Sequence, residues 1–267
     1  MGALLSAGKY YLSKQNRTLG IPQEDIIDCA VQTLGLNDVS KFNPDEKIIE
    51  SAIGKNNKGL MGLQGKDLIS LISNNSPAPG GGSVSAIAGS LGAALISMVA
   101  ALTHEKKDFF DQKERMNEIG VTAQDLMENL IYLSEEDTEA FNAIIEANRL
   151  PDKTSEQKKI KGRKVLEANK HAIEIPLKTA MLSLEVIKLS LDLIKYGNPN
   201  SVTDAEVAAE VGLAGVRGGC MNAMINLSGL NNIDDYDSNI QKKIDSIIKE
   251  ADVFHKTAFN NTKKLIS

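Results

Sequence analysis

The chain has 267 residues, 42% of them hydrophobic, 4% aromatic and none Trp, with 30 basic and 35 acidic side chains for a net charge of −5. This content is ample for one large domain or two smaller ones, and it excludes a nucleic-acid surface, since no basic stripe with interleaved aromatics occurs. The two cysteines, Cys29 and Cys220, lie far apart without metal spacing, which argues against a disulfide or zinc scaffold.

The first apolar stretch is too short before Lys9 for a signal peptide, so a cytoplasmic protein is expected. Leu5, Leu12 and one of Tyr10 and Tyr11 share a helix face within residues 3–15. Gly20-Ile21-Pro22 breaks the chain, with Pro22 suited to a first helical position and Glu24 and Asp25 to the positive end of a helix dipole. Ile26, Ile27, Ala30, Val31 and Leu34 give the next helix its face. Asn43-Pro44-Asp45-Glu46 repeats the start signal, and Ile48, Ile49, Ala52 and Ile53 supply a short helix. The glycine-rich run 54–65 reads as a linker between residues 1–53 and a helical domain over 66–267.

The stretch Pro77–Thr103 organises the helical domain. Pro77-Ala78-Pro79-Gly80-Gly81-Gly82 predicts a loop, Ser83 stands where an N-cap stands, and a charge-free run from Val84 to Thr103 continues as helix. Its length would cross a bilayer. Its serines and glycines, and the absence of flanking Trp or Tyr, predict instead a central helix buried in protein and apolar all round, with no membrane insertion. Ala86, Gly89, Ala93, Ser97 and Ala100 form a smooth stripe that lets another helix approach closely. Gly80, Gly81, Gly82 and Ser83 present backbone N–H groups suited to an oxygen-rich or anionic ligand group.

Long helices are expected over about 108–148, 155–196, 203–227 and 239–265, with Pro176 ending or kinking the second. No segment alternates with period two, so the fold class is all-α: a long-helix bundle with an Ala/Gly-rich central helix, preceded by a short helical N-terminal segment. Asp137 interrupts the stripe Leu126, Leu130, Leu133, Phe141, Ile144. A carboxylate there needs a partner or a cavity, and desolvation would raise its pKa; a purely structural pairing is the alternative. On the helix after Ser201, Asp204, Ala208, Gly215, Gly219, Asn222 and Asn226 form a wall of small and polar groups, while Val207, Val211, Ala214, Met221 and Ile225 are apolar. Asp204 is a candidate acid or base, or else the cap of its own helix. His104, His171 and His255 are dispersed and expected at the surface, and no metal site is expected.

Residues 65–267 resemble the cyclodeaminase domain of the formiminotransferase-cyclodeaminase family, which includes related methenyltetrahydrofolate cyclohydrolases. The resemblance rests on Pro77-Ala78-Pro79-Gly80-Gly81-Gly82-Ser83-Val84, Glu136-Asp137-Thr138-Glu139-Ala140-Phe141, Ile175-Pro176-Leu177 and Gly197-Asn198-Pro199-Asn200-Ser201-Val202-Thr203-Asp204-Ala205. Residues 3–53 resemble the end of the formiminotransferase domain, as in Ala7-Gly8-Lys9-Tyr10-Tyr11 and Phe42-Asn43-Pro44-Asp45-Glu46. The family pattern usually has glycine after Asp204-Ala205, where this chain has Glu206.

The resemblance implies conversion of 5-formiminotetrahydrofolate to 5,10-methenyltetrahydrofolate with release of ammonia, a step of histidine degradation and one-carbon metabolism, without transferase activity. It implies no cofactor beyond the tetrahydrofolate substrate, a reduced folate with or without a polyglutamate tail as partner, and a homodimer or larger homo-oligomer. Asp137 and Asp204 are the expected acid and base, in either assignment. Asn198, Asn200, Asn222 and Asn226 are expected to read the pterin amide edge, and Gly80–Ser83 to receive a carboxylate or carbonyl oxygen. The alternatives are cyclohydrolase chemistry on the same fold and a non-catalytic helical oligomerisation module.

Overall fold

The computed structural model describes residues 1–38, 40–50, 59–230 and 234–267, and among these there are no strands. Among its described residues the N-terminal segment contains α1 (Gly2–Lys14), α2 (Gln23–Thr33) and α3 (Pro44–Lys47). Leu12, Ile26 and Cys29 make one small core there, and Ile27, Val31 and Ile48 a second. Leu34, expected on the same face, lies just beyond α2 and is exposed. Ala52, Ile53 and residues 54–58 of the expected linker lie outside the described residues.

The larger part contains α4 (Gly65–Ile72), α5 (Gly81–Glu105), α6 (Lys113–Arg149), α7 (Ser155–Tyr196), α8 (Val202–Ser228) and α9 (Asp234–Ile266), with 3-10 turns at Lys107–Gln112 and Pro199–Ser201. Helices α5 to α8 form an up-down-up-down bundle. Antiparallel packing is fixed by the contacts: Gly82 meets Asp137 and Gly89 meets Leu130 between α5 and α6, while Gly212 meets Ile187 and Gly219 meets Pro176 between α8 and α7. Gly92 of α5 lies against Ala208 and Val211 of α8 and closes the ring. Helix α9 packs on the outside against α7 and α8. The shared core includes Ile96, Leu130, Leu177, Leu184, Ile187 and Val216.

Local chemistry sets the boundaries. A capping box opens α7: the Gln157 N–H donates to Thr154 Oγ1 at 3.2 Å, and the Thr154 N–H donates to Gln157 Oε1 at 3.1 Å. Pro176 does not end α7, which runs on to Tyr196. A proline there cannot donate to the carbonyl of Ala172, four residues earlier. The Asn226 amide of α8 donates to that carbonyl instead, at 2.6 Å.

Helix α5 is the expected central helix, and Ala86, Gly89, Ala93, Ser97 and Ala100 are all buried. It is long and apolar enough to cross a membrane, yet 56% of its most apolar window is buried inside the fold. It is not covered all round. Val84, Leu91, Met98 and Leu102 open to solvent along one side, next to the exposed Val207, Met221 and Ile225 of α8. A charge-free helix carries no polar face from which that open side could be read. His104, expected at the surface, is buried instead, because the 3-10 turn after α5 packs back on its last turn. That burial holds its imidazole below the ordinary histidine pKa.

The N-terminal segment is tied to the bundle by a strap over residues 17–21. The Leu19 N–H and the Thr18 hydroxyl both donate to Asn117 Oδ1 of α6, at 2.7 and 3.2 Å. The Ser97 hydroxyl of α5 donates to the Gly20 carbonyl at 3.1 Å. A Cβ on Gly20 would stand 2.4 Å from the backbone of Gly120, so the strap reaches α6 only because both positions lack side chains.

Candidate active site

The loop Pro77–Gly80 delivers the chain to the N-terminus of α5, which starts at Gly81 with Gly80 as its N-cap. Ser83 is therefore not the cap but the third residue of the helix. Another helix contributes at this end: Asp137 of α6 accepts a hydrogen bond from the Ser83 hydroxyl at 3.0 Å to Oδ2. The Thr138 hydroxyl lies 3.4 Å from the Ser83 hydroxyl. A Cβ on Gly82 would stand 2.1 Å from Asp137 Oδ1, so only glycine lets the carboxylate sit this close to the helix end.

Burial pushes the Asp137 carboxyl above the ordinary carboxylate range, while the Ser83 hydroxyl and N–H pull the other way and only partly offset it. A carboxylate with raised proton affinity is a better base than an exposed aspartate.

Asp137 borders a cavity of about 220 Å³ whose floor is the Gly80–Gly82 loop. Ala140, Phe141 and Ile144 of α6 make its apolar wall, with Ala172 of α7 beside them. Asn222 and Asn226 of α8 make the polar wall. The Asn222 amide donates to its own helix at Gly218 O, 2.8 Å, and Asn226 donates to Ala172 O. Each thus has an –NH₂ donor engaged with a carbonyl, which fixes its orientation toward the cavity rim. Phe141 and Thr138 stand in the Asp137 motif, but nothing in the motif alone assigns either a role; their place one and four positions along the same helix was the available signal.

The other expected site residues are elsewhere. Asp204 lies in the first turn of α8, about 27 Å along the helix axis from Asn222. Asn198 is buried beyond the far end of α5, where its N–H donates to Thr103 Oγ1 at 3.0 Å and its side chain caps the N–H of Asn200 at 3.2 Å. The expected single grouping of Asp137, Asp204 and four asparagines is corrected accordingly. Within one chain, Gly80–Ser83, Asp137, Asn222 and Asn226 gather at one end of the bundle, and Asn198, Asn200 and Asp204 at the other. The antiparallel course of α5 and α8 is the physical reason. Glu206 lies at that far end too, so within one chain it does not intrude on the Asp137 cavity.

Comparison with known proteins agrees with this architecture. A family model described as formiminotransferase-cyclodeaminase matches residues 64–246, and one described as formiminotransferase domain matches residues 1–54. The formimidoyltransferase-cyclodeaminase of Gallus gallus is 30% identical over 251 residues, 93% of this chain and 46% of the relative. This chain thus spans about half the length of that relative. The methenyltetrahydrofolate cyclohydrolase of Methylorubrum extorquens is 31% identical over 196 residues, 73% of this chain and 94% of the relative. A crystal structure of formiminotetrahydrofolate cyclodeaminase from Thermotoga maritima shares the fold, with a TM-score of 0.63, 23% identity, and coverage of 77% of this chain and 96% of that one. The match takes in the glycine loop, the Asp137 motif and all four helices of the bundle, and the chain belongs to the formiminotransferase-cyclodeaminase family.

Proposed function

We propose that this protein is a formiminotetrahydrofolate cyclodeaminase, converting 5-formiminotetrahydrofolate to 5,10-methenyltetrahydrofolate and ammonia. The observation that carries the reading is the half-buried Asp137 carboxylate, held against the N-terminus of a charge-free helix at the edge of a cavity. The formiminium group of the substrate is cationic, and a desolvated carboxylate attracts it. Folate N10 attacks the formimino carbon, and its proton passes to Asp137. The same carboxyl then returns a proton to the departing nitrogen. The C–N10 bond forms, the C–NH₂ bond breaks, and ammonia leaves with the methenyl cation behind. The raised proton affinity of Asp137 suits this exchange, and the apolar wall at Phe141 and Ile144 limits water at the reacting carbon. In this reading Asn222 and Asn226 orient the pterin, and the backbone at Gly80–Ser83, the N-terminus of α5, receives a carbonyl or carboxylate oxygen. Both cysteines are buried free thiols, in keeping with a cytoplasmic enzyme.

The cavity is smaller than the roughly 300–1,000 Å³ typical of small-molecule sites, so one chain encloses the reacting centre rather than a whole folate. The open apolar side of α5 and α8 supports a homodimer as the working unit. A two-fold contact across that side runs α8 antiparallel to its own copy and sets the Asp204 end of one chain beside the Asp137 end of the other. Asp204, Asn198 and Asn200 then complete the site in trans.

The test is to mix the purified chain with 5-formiminotetrahydrofolate and follow ammonia and the methenyl chromophore together. Both rise at a protein-dependent rate in this reading. The second reading, cyclohydrolase activity, is favoured by the relative that is matched over 94% of its length. It predicts loss of the methenyl chromophore in water and no ammonia from the formimino substrate. A folded oligomer that binds no reduced folate would leave only the assembly role.

A further inference from the structure

Away from the cavity, Glu206 and Glu210 stand one helical turn apart on α8 and face His255 of α9. One ligand atom from each lies within 4.8 Å of the other two. Two of these side chains hold atoms shielded from solvent and without a hydrogen bond: Glu206 Oε1 and His255 Nε2. The remaining Glu206 oxygen accepts from the Thr262 hydroxyl at 3.1 Å, which fixes the carboxylate so that Oε1 stays buried. His255 Nε2 is 3.0 Å from Glu210 Oε1, close enough for an ion pair yet not aligned as a hydrogen bond. Buried polar atoms on two different helices are thus brought together around the same point without satisfying one another.

We propose that Glu206, Glu210 and His255 bind a divalent transition-metal ion of the zinc type, which clasps α9 to α8. An imidazolium at His255 would answer Glu210 but leave Glu206 Oε1 unmet; a metal ion answers all three. Two carboxylates and a neutral imidazole carry two negative charges, the match for a divalent ion, and the nitrogen ligand selects zinc-like ions over magnesium or calcium. Ligand atoms held about 2.1 Å from one ion lie roughly 3.0–3.4 Å apart, which the His255–Glu210 pair already meets and Glu206 reaches by a small rotation. Thr262 then acts from behind to hold a liganding carboxylate.

Glu206, Glu210 and His255 stand on α8 and α9, and none of them lines the Asp137 cavity. The sequence alone, which suggests only dispersed surface histidines, does not disclose it, because it is the packing of α9 on α8 that brings His255 to the two glutamates.

The experiment uses the full chain without an affinity tag, stripped with chelator and titrated with Zn²⁺ by calorimetry, with thermal unfolding recorded with and without the ion. The expected result is one Zn²⁺ per chain and a raised Tm. Glu206→Gln and Glu210→Gln each weaken binding at least about tenfold while leaving the circular dichroism spectrum unchanged. Glu206→Gln keeps the shape and the Thr262 contact, and Glu210 is exposed, so both variants fold. Co²⁺ gives visible ligand-field bands that the same variants lose. Absence of stoichiometric Zn²⁺ binding, or binding of equal strength in both variants, overturns the proposal.

Discussion

Asp137 sits under two opposing influences, and their balance makes a prediction with a definite sign. Burial raises its proton affinity and the Ser83 contacts lower it, with a net raised pKa. A carboxyl whose folded pKa exceeds its unfolded value contributes stability below the unfolded pKa, about 3.9, and that contribution is lost as pH rises through the folded value. Wherever Asp137 is ionised it is therefore a burden on the fold. Asp137→Asn should raise Tm at pH 7, with the gain shrinking as pH falls and the wild-type carboxyl protonates. The same variant should lower kcat about 10²–10⁴-fold if Asp137 moves the protons. Thermal unfolding across pH checks the first part and the ammonia assay the second. The acid limb of wild-type kcat/KM should lie above the ordinary aspartate range. Gly82→Ala tests the same contact from the other side. Alanine is the better helix former by about 1 kcal/mol, but its Cβ would overlap Asp137 Oδ1. Stability should change little while kcat drops about 100-fold, as for a catalytic group displaced by an ångström.

At the scale of elements, the strap is the weakest joint between the N-terminal helices and the bundle. Asn117→Ala removes the acceptor of the Leu19 N–H and the Thr18 hydroxyl, and Thr18 is buried. Leaving such donors unmet costs about 1–3 kcal/mol. Limited proteolysis should then cut first within residues 15–22, well before the bundle is attacked. The helices themselves were legible from apolar periodicity and from Gly and Pro punctuation, and α5 to α9 fall within a few residues of expectation except at the starts of α6 and α9. What was not legible is how a break is repaired or a face left open. Pro176 suggested that α7 ends or kinks there, and sequence does not show that Asn226 supplies the missing donor to the Ala172 carbonyl. Ser83 suggested a cap, and sequence does not show that its hydroxyl bonds Asp137 of another helix. The Asp137 half of the candidate site was legible because a lone carboxylate on an apolar stripe is anomalous in one dimension. The distance of Asp204 was not, because neighbouring motifs in an antiparallel bundle can end at opposite poles.

At the scale of the molecule, that polar separation is itself informative. Two motifs in one chain, one holding Asp137 and the other Asp204, lie at opposite ends of a bundle whose open apolar side runs between them along α5 and α8. In the proposed homodimer a two-fold axis through the middle of that side would turn one end onto the other, giving each dimer two sites, each with Asp137 from one chain and Asp204 from its mate. Asp137→Asn and Asp204→Asn should each be inactive alone. Co-expressed in equal amounts, half the dimers carry one variant of each kind, and one of the two sites in such a dimer keeps both native aspartates. Activity should therefore return to about a quarter of wild type. A site completed within one chain would give no recovery at all, because every chain in the mixture lacks one of the two carboxylates. Adding a charge to the open side, as in Leu91→Lys, should abolish the recovery along with the dimer, since Leu91 is exposed in one chain and the proposed dimer would bury it against a second.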